Sequence, residues 1–249
     1  MKKLFKWMFL ISFSLTLILY FYKDQLPEPS EYIPFPLNVP TQTETSRTPF
    51  TIHANHQDYK ITPKFNYDLT GVVVSYNNAN GFTDIWHYDL WKDFINIRDL
   101  CVIWGVNVKA GIYKKLTFSH DTWTCWVAWD DSALNTIFKF SGFSNNHLLT
   151  DNNAIKTAVM NAEVGDVIHF KGILTDYKIE ATGAKRETSI RRDDTGNGAC
   201  EIVYLDEFKV IKKVNVTLRR IYLLSKWIAI FSLIGFLIMY LASPVEASN

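Results

Sequence analysis

Residues 219–242, RRIYLLSKWIAIFSLIGFLIMYLA, constrain this chain more than any other stretch. From Ile221 to Ala242 the only charge is Lys226, and the run matches the ~20 apolar residues that cross the hydrocarbon core of a bilayer. Lys226 lies near enough to one end to snorkel to the interface. A soluble helix of this length ordinarily has a polar side, and this one has none. The stretch predicts a transmembrane helix over 219–242, followed by a short tail, 243–249.

A second apolar run, WMFLISFSLTLILYFY at 7–22, follows Lys2, Lys3 and Lys6 in the leading hexapeptide, the layout of a secretory signal or a signal anchor. It ends in Tyr20-Phe21-Tyr22 with no small-x-small cleavage motif, which favours a retained anchor. Lys and Arg prefer the cytoplasmic side. By that rule Lys2, Lys3 and Lys6 against Lys23 put the amino terminus inside, whereas Lys212, Lys213, Arg219, Arg220 and Lys226 before the second span ask for the opposite. Both preferences cannot be met. The first span usually dominates, and long loops translocate largely regardless of charge. The expectation is a two-pass membrane protein, touching lipid at both ends, with both termini inside and the middle outside the cytoplasm, in a periplasmic or similar compartment.

Between the spans, residues 23–50 hold Pro27, Pro29, Pro34, Pro36, Pro40 and Pro49. Proline at this density forbids helix and central strand, and predicts an extended, semi-rigid linker that holds the next domain off the bilayer. Residues 51–213 form the domain. LTGVVVSYNNANG, DLCVIWGVNV, YKKLTFS and TWTCWVAW read as strands, the last with both faces largely apolar, which suggests a strand covered on both sides; the competing account is a sticky membrane-proximal face. HYDLWKDFI places Leu90, Trp91 and Phe94 at helical spacing, and DNNAIKTAVMNA is a helix capped by Asp151 or Asn152. EVGDVIHFKGILTDYKIE is a strand entered through a Gly165-Asp166 turn and bent at Gly172, and ACEIVYLDEFKVIKK closes the series.

The order of strands, helix, glycine-bent strand and closing strand, together with VGDVIHFKGIL, resembles the oligonucleotide/oligosaccharide-binding barrel, the OB-fold, across about residues 67–211. The resemblance implies a mainly β fold with minor α, an OB-like Greek-key barrel flanked by two transmembrane helices. Residues 81–100 have no counterpart in the minimal barrel. Nucleic acid is an unfavoured partner: residues 50–211 carry 16 Lys or Arg against 20 Asp or Glu, a net charge of −4, where a phosphate-tracking groove needs concentrated positive charge.

Cys101, Cys125 and Cys200 stand at long spacings with no C-x₂-C pair, and no Walker, G-x-S-x-G or H-E-x-x-H motif occurs, so neither metal nor cofactor is expected. In an oxidising compartment one disulfide forms, and Cys125 with Cys200 is preferred because Cys101 sits in the apolar run LCVIW as a buried hydrophobe. Two loops concentrate ligand-binding residue types. GFTDIWHYDLWKDF offers Asp84, Trp86, His87, Asp89 and Trp91, aromatic platforms beside carboxylates as sugar or peptide pockets use them; the competing account is an amphipathic helix with its Trp inward and its acids wet. SIRRDDTGNGACE offers Arg191, Arg192, Asp193 and Asp194 before a glycine-rich turn; the competing account is a hairpin whose charges pair or face water. Binding to a protein or glycan partner in an envelope assembly is the leading expectation. A tethered hydrolase with a Cys/His or Asp/His site is the alternative, and a cytoplasm-facing nucleic-acid module is a third.

Overall fold

A computed structural model describes residues 1–81, 84–196 and 198–242. In chain order the regular elements are α1 (Lys2–Tyr22), β1 (Thr41–Glu44), β2 (Phe50–Ala54), β3 (Gln57–Asn78), α2 (Ile85–Asp89), β4 (Asn96–Ile103), α3 (Val106–Lys109), β5 (Thr117–His120) and β6 (Cys125–Ala128). There follow α4 (Leu134–Ile137), β7 (Phe143–Leu149), α5 (Asn153–Met160), β8 (Val167–Ile179), β9 (Lys185–Arg186), β10 (Glu201–Lys212) and α6 (Val216–Leu241). The chain divides into two compact units, one containing α1 and α6 and the other running from Leu26 to Lys213.

In the first unit, α1 and α6 are each long and apolar enough to cross a membrane. They pack along a stripe of small and hydroxylic residues, Ser12 on α1 and Ser225, Ala229 and Ser232 on α6, with the hydroxyls of Thr16 and Ser225 2.8 Å apart. Small side chains let helix backbones approach closely in lipid, where apolar burial supplies no drive. The remaining faces present Leu, Ile, Phe and Trp outward.

The second unit is mainly β sheet. Five strands hydrogen-bond in a ring: β3 to β4, β4 to β7, β7 to β10, β10 to β8, and β8 back to β3. Every pairing is antiparallel except β7 with β10. The ring can close because β3 is 22 residues long and serves both neighbours, with register shifts at Pro63/Phe65 and Val73/Ser75 that turn it from one to the other. Gly172 lies where β8 meets the irregularity of β10 between Leu205 and Glu207. A Cβ there would stand 2.2 Å from the Tyr204 carbonyl oxygen, so no side chain fits. Inside the ring, Leu69, Val72, Leu100, Val102, Leu148, Ile168, Phe170 and Val203 form a core with Trp104 and Val159 of α5. Asn152 caps α5 by accepting from the Ala154 and Ile155 amides, and Arg98 holds its other end through the Val159 and Ala162 carbonyls.

Four expectations need correction. The proline-rich tract from Leu26 onward is part of the domain and not a free spacer. Tyr32 and Leu37 are buried, the Tyr32 hydroxyl donates to the Gly165 carbonyl, Gly105 N–H donates to Leu37, and Thr41–Glu44 pairs with β3 as an edge strand. Prolines in turns and on edges forfeit no ladder bond, which is why the tract can pack. The segment TWTCWVAW is not covered on both sides: among the described residues β6 pairs only with β5, in a separate two-stranded hairpin, and Trp126 is exposed. The helix predicted across 87–95 stops at Asp89, and its sides are mixed: Asp84, His87 and Asp93 are inside and Trp86 and Leu90 outside, while Trp91 packs inward and Asp89 is exposed as an amphipathic helix would have them. The disulfide joins Cys125 to Cys101, not to Cys200; the two Cα atoms are 5.9 Å apart, and Cys200 is a free thiol. Cys101 is buried, as its apolar context implies, but on the strand face that the β5–β6 hairpin covers. Ser75, its partner across the β3–β4 pair, lies against Cys125.

Candidate binding cleft

Side chains two apart on a strand share a face, and residues opposite one another on paired strands share it too. Asp99 and Cys101 on β4 stand opposite His147 and Asn145 on β7, so these four line one face of the ring. The disulfide pins the β5–β6 hairpin over that face. Asn145 holds it further: its amide donates to the Trp123 carbonyl at 2.8 Å and to the Cys200 sulfur at 3.5 Å, while its oxygen meets His120 Nε2 at 3.0 Å.

Trp123, brought in by the hairpin, is the hub. The His87 ring lies 4.0 Å from it, Trp91 4.6 Å, and the Arg186 guanidinium 3.6 Å from the ring centroid in a cation–π contact. Below these is a buried polar chain. Asp84 caps α2 by accepting from the His87 amide, and its carboxylate also meets His87 Nδ1 at 2.5 Å and accepts from Asn77 at 2.7 Å. Asn96 approaches His87 Nε2 at 3.2 Å and donates to Asp99 at 3.0 Å. His147 Nδ1 is 2.7 Å from Asp99, an angle oblique for a hydrogen bond, and its Nε2 lies 3.3 Å from Arg186 Nη2.

Burial sets the protonation states. Desolvation, reinforced by the Arg186 charge, carries the His147 imidazole below its ordinary value despite Asp99, so His147 is neutral and can accept from Arg186. The Asp93 carboxyl moves up through burial while accepting the Tyr177 hydroxyl, which burial likewise drives well above the phenol range. The Cys200 thiol is pushed up to about 11, chiefly by burial. A thiol this protonated is a poor nucleophile, and Cys125 is held in the disulfide. His87 and His147 are fully enclosed and face carboxylates. Among the described residues, no three His, Cys, Asp or Glu side chains are placed to hold a metal ion.

Against this cluster opens a cleft of about 900 Å³, bordered by residues 123–127 on the hairpin, by Phe140, Phe143 and Asn145, and by residues 185–187, 194–196 and 198–200. Of the sequence-flagged residues, Asp84, His87 and Trp91 join the cluster, and Asp194 reaches the cleft while accepting the Ser189 hydroxyl. Trp86 and Asp89 point away into solvent. Arg191 and Asp193 pair with each other at 3.0 Å on the surface, as the competing hairpin account has it. Arg192 turns inward to Glu201, Tyr67 and Gln42 and anchors the loop's base. Asp99 and Asn145 carry no sequence motif, whereas Trp123 lies in the apolar TWTCWVAW run and Arg186 in the basic pair Lys185-Arg186, neither of which marks a site by itself. The available signal was polar residues embedded in apolar strands, Asp99 before LCVIW and Asn145 in SNNHLL. No protein-family model matches the chain, and no curated protein and no solved structure matches it.

Proposed function

We propose that the chain is a membrane-anchored binding module: an OB-like barrel, displayed outside the cytoplasm, that seats a protein or glycan partner of an envelope assembly in the cleft beside Trp123. The observation that carries this reading is the cleft itself. It combines exposed apolar rings, Trp126 and Phe140, with a fixed guanidinium and an amide, the mixture of contact area and orienting polar groups that ligand sites use.

Three further observations support it. Numbering only the ring strands, the order is first, second, third, fifth, fourth and back to first, with α5 between third and fourth, as in an OB barrel. OB-folds bind on their second and third strands and with the loops joining first to second and fourth to fifth. Those positions correspond here to β4, β7 and the β3–β4 and β8–β10 connections, whose described residues 84–91, 185–187, 194–196 and 198–200 contribute to the cluster and cleft. Export is favoured by the pairing of Cys101 with Cys125, since such bonds persist in oxidising compartments, and by the dominance of the first span.

Reporter fusions at Asn80 and Asn249 test the topology, with an external reporter at Asn80 and an internal one at Asn249 expected. For the cleft, full-length protein in lipid nanodiscs is screened on glycan and peptide arrays. Trp126→Ala and Phe140→Ala should weaken capture by tenfold or more and Lys60→Ala, on the hairpin of β2 and β3, should not. Equal capture by wild type and both aromatic variants would refute the cleft as the seat.

A further inference from the structure

We infer that the helix pair holds an anionic phospholipid, its phosphate seated on the flank of α6 that carries Arg219, Tyr222 and Lys226, with Lys23 at the end of α1 beside them. The inference goes beyond the cleft and rests on the pair lying in a bilayer.

The charges of this unit cannot be met within it. Residues 1–25 and 214–242 carry Lys or Arg at positions 2, 3, 6, 23, 219, 220 and 226, against the single carboxylate of Asp24. Asp24 is already taken: it pairs with Lys23 and lies 3.5 Å from Arg219. Among the described residues Lys226 makes no ion pair, and its side chain is exposed. An ionisable group within an apolar span calls for a partner, and here the helix pair has none left to offer.

Residues three or four apart on a helix share a face, so Arg219, Tyr222 and Lys226 line one flank of α6, beside the stripe of Ser225, Ala229 and Ser232 that packs on α1. Lys23 joins them, its ammonium 5.3 Å from the centre of the Tyr222 ring and 5.8 Å from that of Tyr20. Tyrosine settles at the headgroup level of a bilayer, so Tyr20, Tyr22 and Tyr222 mark that level. Lys226 lies one turn deeper, by about 6 Å. Because Cα–Cβ bonds in a helix tilt toward its N-terminus, the Lys226 stem leans back toward Tyr222 and lifts its ammonium to the headgroups. A phosphodiester at that point takes charge-assisted hydrogen bonds from Lys226 and Arg219. Deeper along α6, Trp227, Ile230 and Ile234 are exposed on the adjoining face and accommodate the acyl chains. A zwitterionic headgroup would bring its own ammonium into this excess of cations, so a lipid of net negative charge is preferred. The cations that oppose the charge rule before the second span thereby acquire a role.

The test is tryptophan quenching in the full-length protein reconstituted into phosphatidylcholine vesicles. Trp227 adjoins Lys226, and the emission unique to it is the difference between the wild type and Trp227→Phe. Phosphatidylglycerol or phosphatidylcholine with dibrominated acyl chains, at equal mole fraction, compares the two lipids at that position. Phosphatidylglycerol should associate about fivefold more strongly, the effect of one cation beside an anionic headgroup. Lys226→Met keeps the stem, suits lipid and drops the charge, and should bring the ratio toward one. Lys226→Arg should preserve it, and so should Lys3→Gln at the other end of the pair. The inference is overturned if the two lipids quench the wild type alike, if the preference survives Lys226→Met, or if Lys226→Arg or Lys3→Gln abolishes it. Quenching by neither lipid would put Trp227 outside the hydrocarbon and remove the membrane reading together with the inference, whereas equal quenching by both removes the inference alone.

Discussion

Reducing the Cys101–Cys125 bond should loosen the hairpin that carries Trp123 and cost the domain a calculable part of its stability. The two cysteines are 24 residues apart. In the chain-entropy account a loop of that length restricts the unfolded state by about 3.5 kcal/mol at 25 °C. For a domain of this size each kcal/mol moves the melting temperature by roughly 2–4 °C, so reduction should lower it by about 7–14 °C. The assay is thermal and urea unfolding of the full-length protein in mild detergent, followed by tryptophan emission, with and without a phosphine reductant. Cys200→Ser should leave both curves, and their separation, unchanged. A non-reducing peptide map completes the experiment by identifying the linked fragments. The reasoning fails if Cys200 is found in the cross-link. It fails equally if complete reduction, verified by mass, shifts stability by less than 1 kcal/mol.

Gly172→Ala should destabilise the ring by about 2–3 kcal/mol, because its Cβ would meet the Tyr204 carbonyl at 2.2 Å and β8 must part from β10; an unchanged urea midpoint would place the strands farther apart than described. The Glu201 carboxyl, raised to about 8 by burial against a partial offset from Arg192, binds a proton in the folded chain that the unfolded chain has released. Its contribution is therefore full below about pH 4.5 and is lost as pH rises toward 8, and Glu201→Gln should flatten that decline in a stability–pH series. In the helix pair, a double-mutant cycle on Thr16→Val and Ser225→Ala should give a coupling of about 0.6 kcal/mol in detergent unfolding; no coupling would mean the two hydroxyls do not meet.

The parts of this fold written into local pattern were legible in the sequence. The two long apolar helices follow from length and apolarity, and α5 from Asn152 and the spacing of Ile155 and Val159. β8 and β10 follow from their alternation, and the tight spot at Gly172 from a glycine inside a strand pattern. What failed were inferences that depend on strand register. Cys101 was read from its neighbours as a simple core residue, but its partner is fixed by which face of β4 the hairpin covers. Asp99, Asn145 and His147 are unremarkable in sequence, and only the β4–β7 register sets them opposite one another. Aromatic and acidic composition drew attention to residues 84–91 but did not foretell which of them are inside and which outside. A carboxylate such as Asp84 can be buried when a helix N-terminus, an imidazole and an amide all satisfy it, and no pattern of polarity encodes that.

The orientation of Arg186 ultimately rests on one proton. His147 Nε2 can accept from the guanidinium only if the ring hydrogen sits on Nδ1, and the Asp99 carboxylate, 2.7 Å from Nδ1 but poorly aligned for a hydrogen bond, favours that tautomer by its charge. Because burial holds the imidazole below its ordinary value, the unfolded chain takes up a proton near pH 6.5 that the native state refuses, so this residue stabilises the fold above that pH and the benefit is lost as pH falls. Asp99→Asn preserves shape but offers an amide donor to Nδ1, which shifts the ring hydrogen to Nε2 and turns it against the guanidinium. Nitrogen chemical shifts of His147 should report the Nδ1–H tautomer in the wild type and a mixture or reversal in Asp99→Asn. A wild-type ring protonated on Nε2 would break the chain of dependence from Asp99 through His147 to Arg186, and the guanidinium would then owe its position to Trp123 alone.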